Sequence, residues 1–297
     1  MTQPNRIKRF LFKPWREKVR AIKYHWLKSS HVPLLVRLPT KAWWIAENDF
    51  FGVAAVLDVF EKRESAFVKA FLRPGMNVVD IGAHHGFYTL LASRKTGLTW
   101  RVVAFEPSQR ERKKLLRHLW LNHCGNVVVR DCALGSEDGS AELFVVQGTE
   151  TGCNSLRLPN VDQPVEALPV RIATLDGCLE SLGINRVDFI KMDVEGGEIE
   201  VLKGAERLLA RRPRPVIMCE VQDIRTTPWG YPARLIVDFL EQKGFRWFSL
   251  SVESKLDPMG AEESFDGNYV AVPAERIDHL LVHTSDSAEA STSHLCA

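Results

Sequence analysis

The chain has 297 residues, a hydrophobic content of 45% and a formal net charge of +2. A chain of this length and composition can bury one sizeable core and carry an appendage. A charge this small does not by itself indicate a partner such as nucleic acid. No apolar run reaches the roughly 18 residues of a spanning helix, and no apolar signal-peptide core follows the basic N terminus. We therefore expect a cytoplasmic protein.

The first thirty residues are strongly basic, with nine Lys or Arg and one acid, Glu17. Apolar residues recur among them three or four positions apart, as in a basic amphipathic helix. Two interpretations stay open: a surface helix that packs its apolar stripe on the domain, or peripheral contact of residues 1–30 with the inner face of a membrane. Residues 1–50 are predicted to be a basic, aromatic N-terminal extension, with an irregular connection around Pro33 and Pro39.

Strand and helix patterns alternate through residues 51–283, which predicts βαβ units and a mostly parallel sheet. Extra strands are expected within 139–174, and residues 284–297 lack periodicity and are predicted to be a disordered tail. The seven predicted strands of the main sheet are "NVVDIG" (77–82), "WRVVAFEP" (100–107), "NVVVRDCAL" (126–134), "VDFIKMDV" (187–194), "PVIMCEV" (215–221), "FRWFSLSV" (245–252) and "GNYVAVP" (267–273).

The six cysteines are scattered, without a Cys-x-x-Cys pair or a metal-ligand spacing, which favours free thiols. Histidines and carboxylates show no clear metal spacing either. We therefore predict no required metal.

The first strand runs into "DIGAHHG", residues 80–86. Ligands of such sheets bind at the carboxyl ends of the strands, and small residues such as Gly82 and Gly86 let a helix start close to them. Glu106 ends the second strand, where an acid can accept hydrogen bonds from both hydroxyls of a ribose. These residues indicate a cofactor that contains adenosine.

A dinucleotide fingerprint would have glycine at position 84, where this chain has His84. Asp80 beside the loop would repel a pyrophosphate but suits a cationic ligand. S-adenosylmethionine has both a sulfonium and an ammonium group. The pattern therefore favours S-adenosylmethionine.

The stretch "DFIKMDVEGGEIEVLKGA", residues 188–205, places Asp193 and Glu195 at the end of the fourth strand. If this strand lies beside the first one, both acids border the methyl group. A hydroxyl acceptor must lose its proton as it attacks. We expect Asp193 to organise the cofactor end and Glu195 to face the acceptor. Alternatively, such acids merely favour a helix N terminus through its dipole, which suits Glu198 best.

Other residues are candidates for the base. His84 and His85 lie in the cofactor loop, where either could titrate near neutral pH or only cap a backbone group. Glu220 ends the fifth strand. The candidate catalytic set is Glu195, Asp193, His85 and Glu220.

The order "VVDIGAHHGFYTLLAS", "VVAFEPS", "CALGSEDG", "TLDGCL", "VDFIKMDVEGGEIEVLKGA", "CEV" and "GNYVAVP" resembles the FkbM-type family of S-adenosylmethionine-dependent methyltransferases, over about residues 58–273. The resemblance implies a class I methyltransferase Rossmann-like α/β fold, with a seven-stranded sheet whose last strand is antiparallel. It also implies methyl transfer to a hydroxyl of a sugar, glycan or secondary metabolite. His84 and His85 depart from the pattern, since the family commonly has Asn and a small or apolar residue there.

By position, the resemblance places the glycine loop at the methionine part, Glu106 at the ribose and residues 131–133 at the adenine. The candidate cofactor-binding residues are Asp80, Gly82, His84, Gly86, Glu106, Pro107, Ser108, Asp131, Cys132, Ala133 and Asp193.

Two other functions remain open. An RNA methyltransferase would use the basic N terminus and the helix charges near Arg110 to follow phosphates. No Pro-Pro-aromatic motif follows the fourth strand, which argues against base amines as acceptors and makes a nucleic-acid partner the weaker alternative. A non-catalytic cofactor-binding module is opposed by the presence of both Asp80 and Glu106. The sequence carries no motif that names the acceptor or the oligomeric state.

Overall fold

A computed structural model of the chain describes residues 14–30, 32–260, 264–278 and 280. The predicted tail, residues 284–297, and the start of the predicted N-terminal helix lie outside the described residues. None of the described helices is both long enough and apolar enough to span a bilayer. The described cysteines are free thiols: Cys124, Cys132, Cys153, Cys178 and Cys219.

The N-terminal part forms a helix, a β-hairpin and two further helices. Their bounds are α1 (Trp15–Ser30), β1 (Leu34–Arg37), β2 (Trp43–Ala46), α2 (Phe50–Leu57) and α3 (Lys62–Phe71). An irregular connection was expected here, and that expectation was wrong. Pro33 precedes β1 and Pro39 lies in the turn, so neither proline has to donate a hydrogen bond to the ladder.

The hairpin packs on the rest of the molecule through the buried Trp44. Its ring stacks on His118 with centroids 4.0 Å apart, and Asn122 accepts a hydrogen bond from the backbone nitrogen of Trp43 at 2.7 Å.

The main sheet contains eight strands. They are β3 (Val78–Ile81), β4 (Val102–Phe105), β5 (Val127–Arg130), β9 (Phe189–Met192), β10 (Val216–Gln222), β11 (Phe245–Leu250), β12 (Leu256–Pro258) and β13 (Asp266–Pro273). The order is β12-β11-β13-β10-β9-β3-β4-β5.

Five adjacent strands run parallel, in the order β5, β4, β3, β9 and β10. Strand β13 is antiparallel to both its neighbours, β10 and β11. The chain fills one side of β3 first and then returns to the other side with β9, so strand order reverses between β3 and β9. This confirms the predicted mostly parallel sheet with an antiparallel last strand, and β12 adds a short edge strand.

Helices cover both faces of the sheet. Successive strand residues point to opposite sides, so the apolar strands present a face to be buried on each side. The helices after α3 are α4 (Phe87–Thr96), α5 (Gln109–Leu121), α6 (Leu175–Ser181), α7 (Glu198–Lys203), α8 (Glu206–Ala210), α9 (Asp223–Thr226) and α10 (Arg234–Gln242). Val79 and Ile81 pack in one core cluster with α6, α7, α8 and α10, whereas Val78 packs in another with α3 and α4.

The segment 139–174 contains extra strands, as the sequence predicted. A second sheet consists of β6 (Ala133–Leu134), β7 (Gly139–Val146) and β8 (Val165–Ala173), in the order β6-β8-β7. The predicted single strand 126–134 is therefore two strands, because the chain leaves the main sheet at Asp131 and β6 pairs with β8.

The helical segment that follows β9 is divided into α7 and α8. The break lies at Gly204, where a Cβ would come within 2.1 Å of the Gly135 carbonyl oxygen. The close approach of two backbones thus requires glycine at this position.

We expect Gly204→Ala to lower the free energy of unfolding by roughly 1 to 3 kcal/mol, since the backbone of Gly135 cannot move aside as a flexible side chain would. Urea unfolding measures the change. Gly125→Ala is the matched control, because a Cβ at Gly125 meets no atom within 4 Å. Equal stability of the two variants would contradict the packing argument.

Candidate active site

A cavity of about 450 Å³ lies at the carboxyl ends of the parallel strands. It spans the junction of β3 and β9, where strand order reverses and where ligands bind in such sheets. Acidic side chains outnumber basic ones in its wall. The acids are Glu61, Asp80, Glu106, Glu150, Asp193, Glu195 and Glu220, and the bases are Lys191 and Arg225. The cavity therefore suits a ligand that carries positive charge.

The loop between β3 and α4 turns tightly against the end of β9. Gly82 has a φ of 77°, and a Cβ on it would lie 1.8 Å from the Asp193 carbonyl oxygen. His84 also has a positive φ, 48°, a region that Asn and His enter more often than most residues. This backbone requirement explains how His84 can replace the Asn of the resembling family.

Glu106 is fixed by two backbone groups. It accepts hydrogen bonds from the backbone nitrogens of His84 at 2.7 Å and Ser108 at 2.8 Å. Burial raises the pKa of its carboxyl to about 8. The acid thus connects the cofactor loop with the loop after β4 and lines the cavity beside both.

The rings of His84 and His85 stack with centroids 3.8 Å apart. Nε2 of His85 lies 2.6 Å from Oε2 of Glu111. Burial alone would raise the pKa of this carboxyl group, but the hydrogen bond to His85 and nearby charges such as that of Arg110 outweigh burial and lower the pKa to about 2. An ionised carboxylate only accepts, so this nitrogen of His85 carries the hydrogen. Burial lowers the pKa of His84 well below its usual value.

The backbone of the same loop is held by His118. Its Nδ1 contacts the His85 carbonyl oxygen at 2.8 Å, and its Nε2 accepts a hydrogen bond from the Ile45 backbone nitrogen at 3.1 Å. Because a carbonyl only accepts, Nδ1 must be the donor. Burial lowers the pKa of His118 to about 4, consistent with this neutral form.

Lys191 connects the acids of adjacent strands. It lies beside Asp80 in the ladder, and its Nζ donates to Asp193 Oδ2 at 3.2 Å and to Asn268 Oδ1 at 3.1 Å. Burial alone would lower the pKa of Lys191, but the charge of Asp193 and the other nearby acids outweighs it and raises the pKa. Burial raises the pKa of Asp80 to about 6.

Glu195 lies in the turn between β9 and α7, with a φ of 58°. One of its carboxylate oxygens is 2.8 Å from Nε of Arg225, an ion pair without hydrogen-bond alignment. Burial and the charge of Asp193 raise the pKa of Glu195 to about 8, while Arg225 opposes the rise. The turn requires Gly196, where a Cβ would lie 2.0 Å from the Arg225 carbonyl oxygen.

Glu198 stabilises this turn from inside. Its Oε1 accepts hydrogen bonds from the backbone nitrogens of Val194 at 3.0 Å and Gly196 at 3.4 Å, and the residue is 1% exposed. Burial raises its pKa to about 7. The sequence suggested a dipole role at the helix start, whereas the contacts show a carboxyl group that holds the turn of Glu195.

Glu220 ends the group of acids. Its Oε2 is buried and has no hydrogen-bond partner among the described residues, and burial raises the pKa of its carboxyl well above the usual value. Asp193, Glu195 and Glu220 each offer an oxygen within 4.8 Å of the others. Like charges this close favour retention of a proton. Carboxylates so placed can also hold a cation, and the absence of a required metal stays a prediction.

Most residues selected from the sequence meet in this cavity. Those in its wall are Asp80, Gly82, His84, His85, Glu106, Pro107, Cys132, Ala133, Asp193, Glu195 and Glu220. Three predicted cofactor-binding residues lie outside the wall: Gly86, Ser108 and Asp131.

Each of the three has another position in the structure. Gly86 has a φ of 90° and packs so closely on α5 that a Cβ would lie 2.4 Å from Leu115 Cδ1. The hydroxyl of Ser108 caps α5. The Asp131 side chain is 68% exposed and lies 3.8 Å from Arg171, so it points away from the cavity.

Sequence reasoning missed the residues that close the cavity. Arg225 lies just after β10, and Trp229 donates its indole hydrogen to the Glu195 carbonyl oxygen at 3.2 Å. Phe50, Phe51 and Phe60 come from the N-terminal part and add an aromatic wall. No motif marks them, because they reach the cavity only through the fold.

The strand order, with its reversal at a glycine loop and a following acid, defines a class I methyltransferase fold. The sequence matches the family described as the methyltransferase FkbM domain over residues 80–247. This match covers more than half of the chain, and the chain belongs to that family. Membership implies S-adenosylmethionine as the methyl donor.

Individual relatives are more distant. AMB antimetabolite synthetase AmbE of Pseudomonas aeruginosa is 30% identical over 209 residues, which are 59% of this chain and 10% of that protein. Methyltransferase 1 of Beauveria bassiana is 30% identical over 145 residues, 43% of this chain and 58% of that protein. The chain thus spans less than two thirds of either relative.

Solved structures resemble the chain at low identity. A precorrin-6y C5,15-methyltransferase of Geobacter metallireducens has a TM-score of 0.43 and 16% identity, over 73% of this chain and 88% of that chain. An O-methyltransferase of Bacillus cereus has a TM-score of 0.41 and 16% identity, over 71% of this chain and 78% of that chain.

The pKa of Glu198 predicts a pH-dependent stability. A carboxyl group whose folded pKa is raised stabilises the fold fully below its unfolded pKa and loses that contribution as pH rises through the folded value. Between about pH 4.5 and 7, the wild type should therefore lose on the order of 1 to 3 kcal/mol relative to Glu198→Gln. Urea unfolding at several pH values measures this difference, in which titrations shared by both proteins cancel. Glu206→Gln, at an exposed residue, should show no such trend; a pH-independent difference for Glu198→Gln would contradict the assignment.

Proposed function

We propose that the protein is an S-adenosylmethionine-dependent O-methyltransferase that acts on a hydroxyl of a sugar, glycan or secondary metabolite. The observation that carries the proposal is the cluster of Asp193, Glu195 and Glu220 at the reversal of strand order. A hydroxyl must be positioned and must lose its proton as it is methylated. The cluster offers groups for both tasks.

The residues of the cavity fit the methyl donor. Glu106 would accept hydrogen bonds from the ribose hydroxyls, and Cys132 and Ala133 offer an apolar surface for the adenine. Asp80 and Asp193 lie where a cationic methionine part would meet negative charge. When bound, S-adenosylmethionine supplies an electrophilic methyl group.

The three acids would divide the work on the acceptor. Lys191 donates a hydrogen bond to Asp193 at 3.2 Å and so holds this carboxyl group beside the cofactor end. Glu195 has a pKa near the working pH, which suits a general base, and we assign it the proton of the acceptor hydroxyl. Glu220 has the strongly raised pKa and an unpartnered oxygen, so its neutral form would donate a hydrogen bond that orients the acceptor.

The aromatic wall would exclude water from this reaction. Phe51 packs on His84 with ring centroids 4.1 Å apart, and the indole of Trp229 covers the turn of Glu195. Excluding water strengthens the interactions of the charged groups inside.

The ribose assignment predicts that Glu106→Ala weakens binding of S-adenosylmethionine by about tenfold or more, because hydrogen bonds to a charged group contribute about 1.5 to 3 kcal/mol. Calorimetric titration of the purified protein measures the dissociation constant. Glu142→Ala removes an exposed acid outside the cavity wall and should bind normally. An unchanged constant in folded Glu106→Ala would overturn the assignment.

The base assignment predicts that Glu195→Gln binds the cofactor nearly normally and loses methyl transfer by roughly a hundredfold or more. The wild-type rate should rise with pH as Glu195 loses its proton, with a midpoint at or below about pH 8, since a bound cation lowers a carboxyl pKa. Transfer of labelled methyl groups to candidate acceptors gives both readouts. Retained activity, or the same rising limb in Glu195→Gln, would exclude Glu195 as the base.

A further inference from the structure

Helix α1 turns an apolar stripe away from the protein. Trp15, Ile22 and Trp26 are 72%, 59% and 51% exposed. Ile22 and Trp26 follow Trp15 by seven and eleven residues, about two and three helical turns, so all three lie on one side of the helix. The helix is attached elsewhere, through the fully buried Leu27 and the ion pair of Arg20 with Asp58 at 2.7 Å. Leu27 and Arg20 thus attach α1 through another side of the helix.

The helix that carries this stripe is basic. Lys18, Lys23 and Lys28 belong to the same helix, whose one acid is Glu17. The preceding sequence, residues 1–14, adds four basic residues and no acid. This segment therefore combines exposed indole rings with net positive charge.

The same character continues across the hairpin to α5. Trp15 and Arg37 line one groove between α1 and the hairpin, and the Arg37 guanidinium lies 5.6 Å from the centroid of the Trp43 ring. The backbone of Trp43 exchanges two hydrogen bonds with Asn122 at the end of α5. Trp120, two residues before Asn122, is 79% exposed. Exposed indoles thus occur on α1, on the hairpin and on α5.

We propose that this basic aromatic surface, formed by Trp15, Ile22 and Trp26, docks on an anionic lipid bilayer. Indole rings combine an apolar body with a polar N–H and suit the interfacial region of a membrane. Helices with a basic face and an apolar stripe lie in that interface, and their binding depends on both apolar area and anionic lipid. A nucleic acid would satisfy the charges but leaves the aliphatic Ile22 in the centre of the stripe without a suitable partner.

The test is co-sedimentation of the full chain with phosphatidylcholine vesicles, prepared with and without phosphatidylglycerol. We expect binding that requires phosphatidylglycerol and weakens at high salt. The variant W15A/I22A/W26A should reduce the partition coefficient by about tenfold or more. The charge variant K18E/K28E should reduce it similarly at low salt. The control L98A/V252A removes two exposed apolar side chains at other positions and should bind as the wild type does.

Affinity for S-adenosylmethionine, measured on every variant, reports whether the methyltransferase domain is folded. The proposal is overturned if the wild type does not bind anionic vesicles, or if either α1 variant binds them as well as the control. Binding to phosphatidylcholine alone with equal strength would also overturn it. Loss of single-stranded RNA binding in the α1 variants, without vesicle binding by the wild type, would assign the surface to nucleic acid instead.

Discussion

The close contact between the loop after β3 and the end of β9 is the constraint on which the rest of the site depends. Gly82 approaches the Asp193 backbone so closely that no side chain fits between them. The reversal of strand order brings these two segments together, and the missing side chain lets them touch. The cofactor loop and the acid-rich turn consequently share one wall. Ligand groups bound by the loop and by the turn would then be neighbours.

The concentration of carboxyl groups in this wall has an energetic cost. Buried charges are expensive unless they are paired or neutralised. Lys191 pairs with Asp193 and Arg225 pairs with Glu195, while the strongly raised pKa of Glu220 indicates that a proton neutralises this carboxyl group. A cationic ligand would relieve part of this cost. The cost of burying these carboxyl groups thus favours a positively charged ligand, which is the charge that the family implies for its methyl donor.

The sequence predicted the main sheet well because its strands are short apolar runs that end in glycine or acid. It also selected Glu106 and the loop that begins at Gly82, since both follow directly from strand ends. It placed Asp131 at the adenine from position alone, and the backbone turns that side chain outward when β6 leaves the main sheet. Position along a chain does not determine side-chain direction where a strand bends.

Other features depend on polar contacts that hydrophobic periodicity does not report. Glu198 appeared to be a helix-start residue because a dipole argument needs only local sequence, whereas its partners Val194 and Gly196 lie on the turn before it. Arg225 belongs to the short helix α9, which carries no motif, and it becomes part of the site by pairing with Glu195. The hairpin escaped prediction because its prolines occur just outside the paired residues. Sequence periodicity reports burial well but does not report which polar groups will meet.

The neutral ring of His118 joins the hairpin to the cofactor loop with one donor and one acceptor. The other tautomer would lose both bonds. Its Nε2–H would face the Ile45 N–H, which is two donors, and its bare Nδ1 would face the His85 carbonyl oxygen, which is two acceptors. The ring therefore couples the position of the hairpin to that of the loop. Amide exchange at Ile45 and in the cofactor loop should accordingly follow a common opening, and a ligand that holds the loop closed would slow exchange in the hairpin outside the cavity.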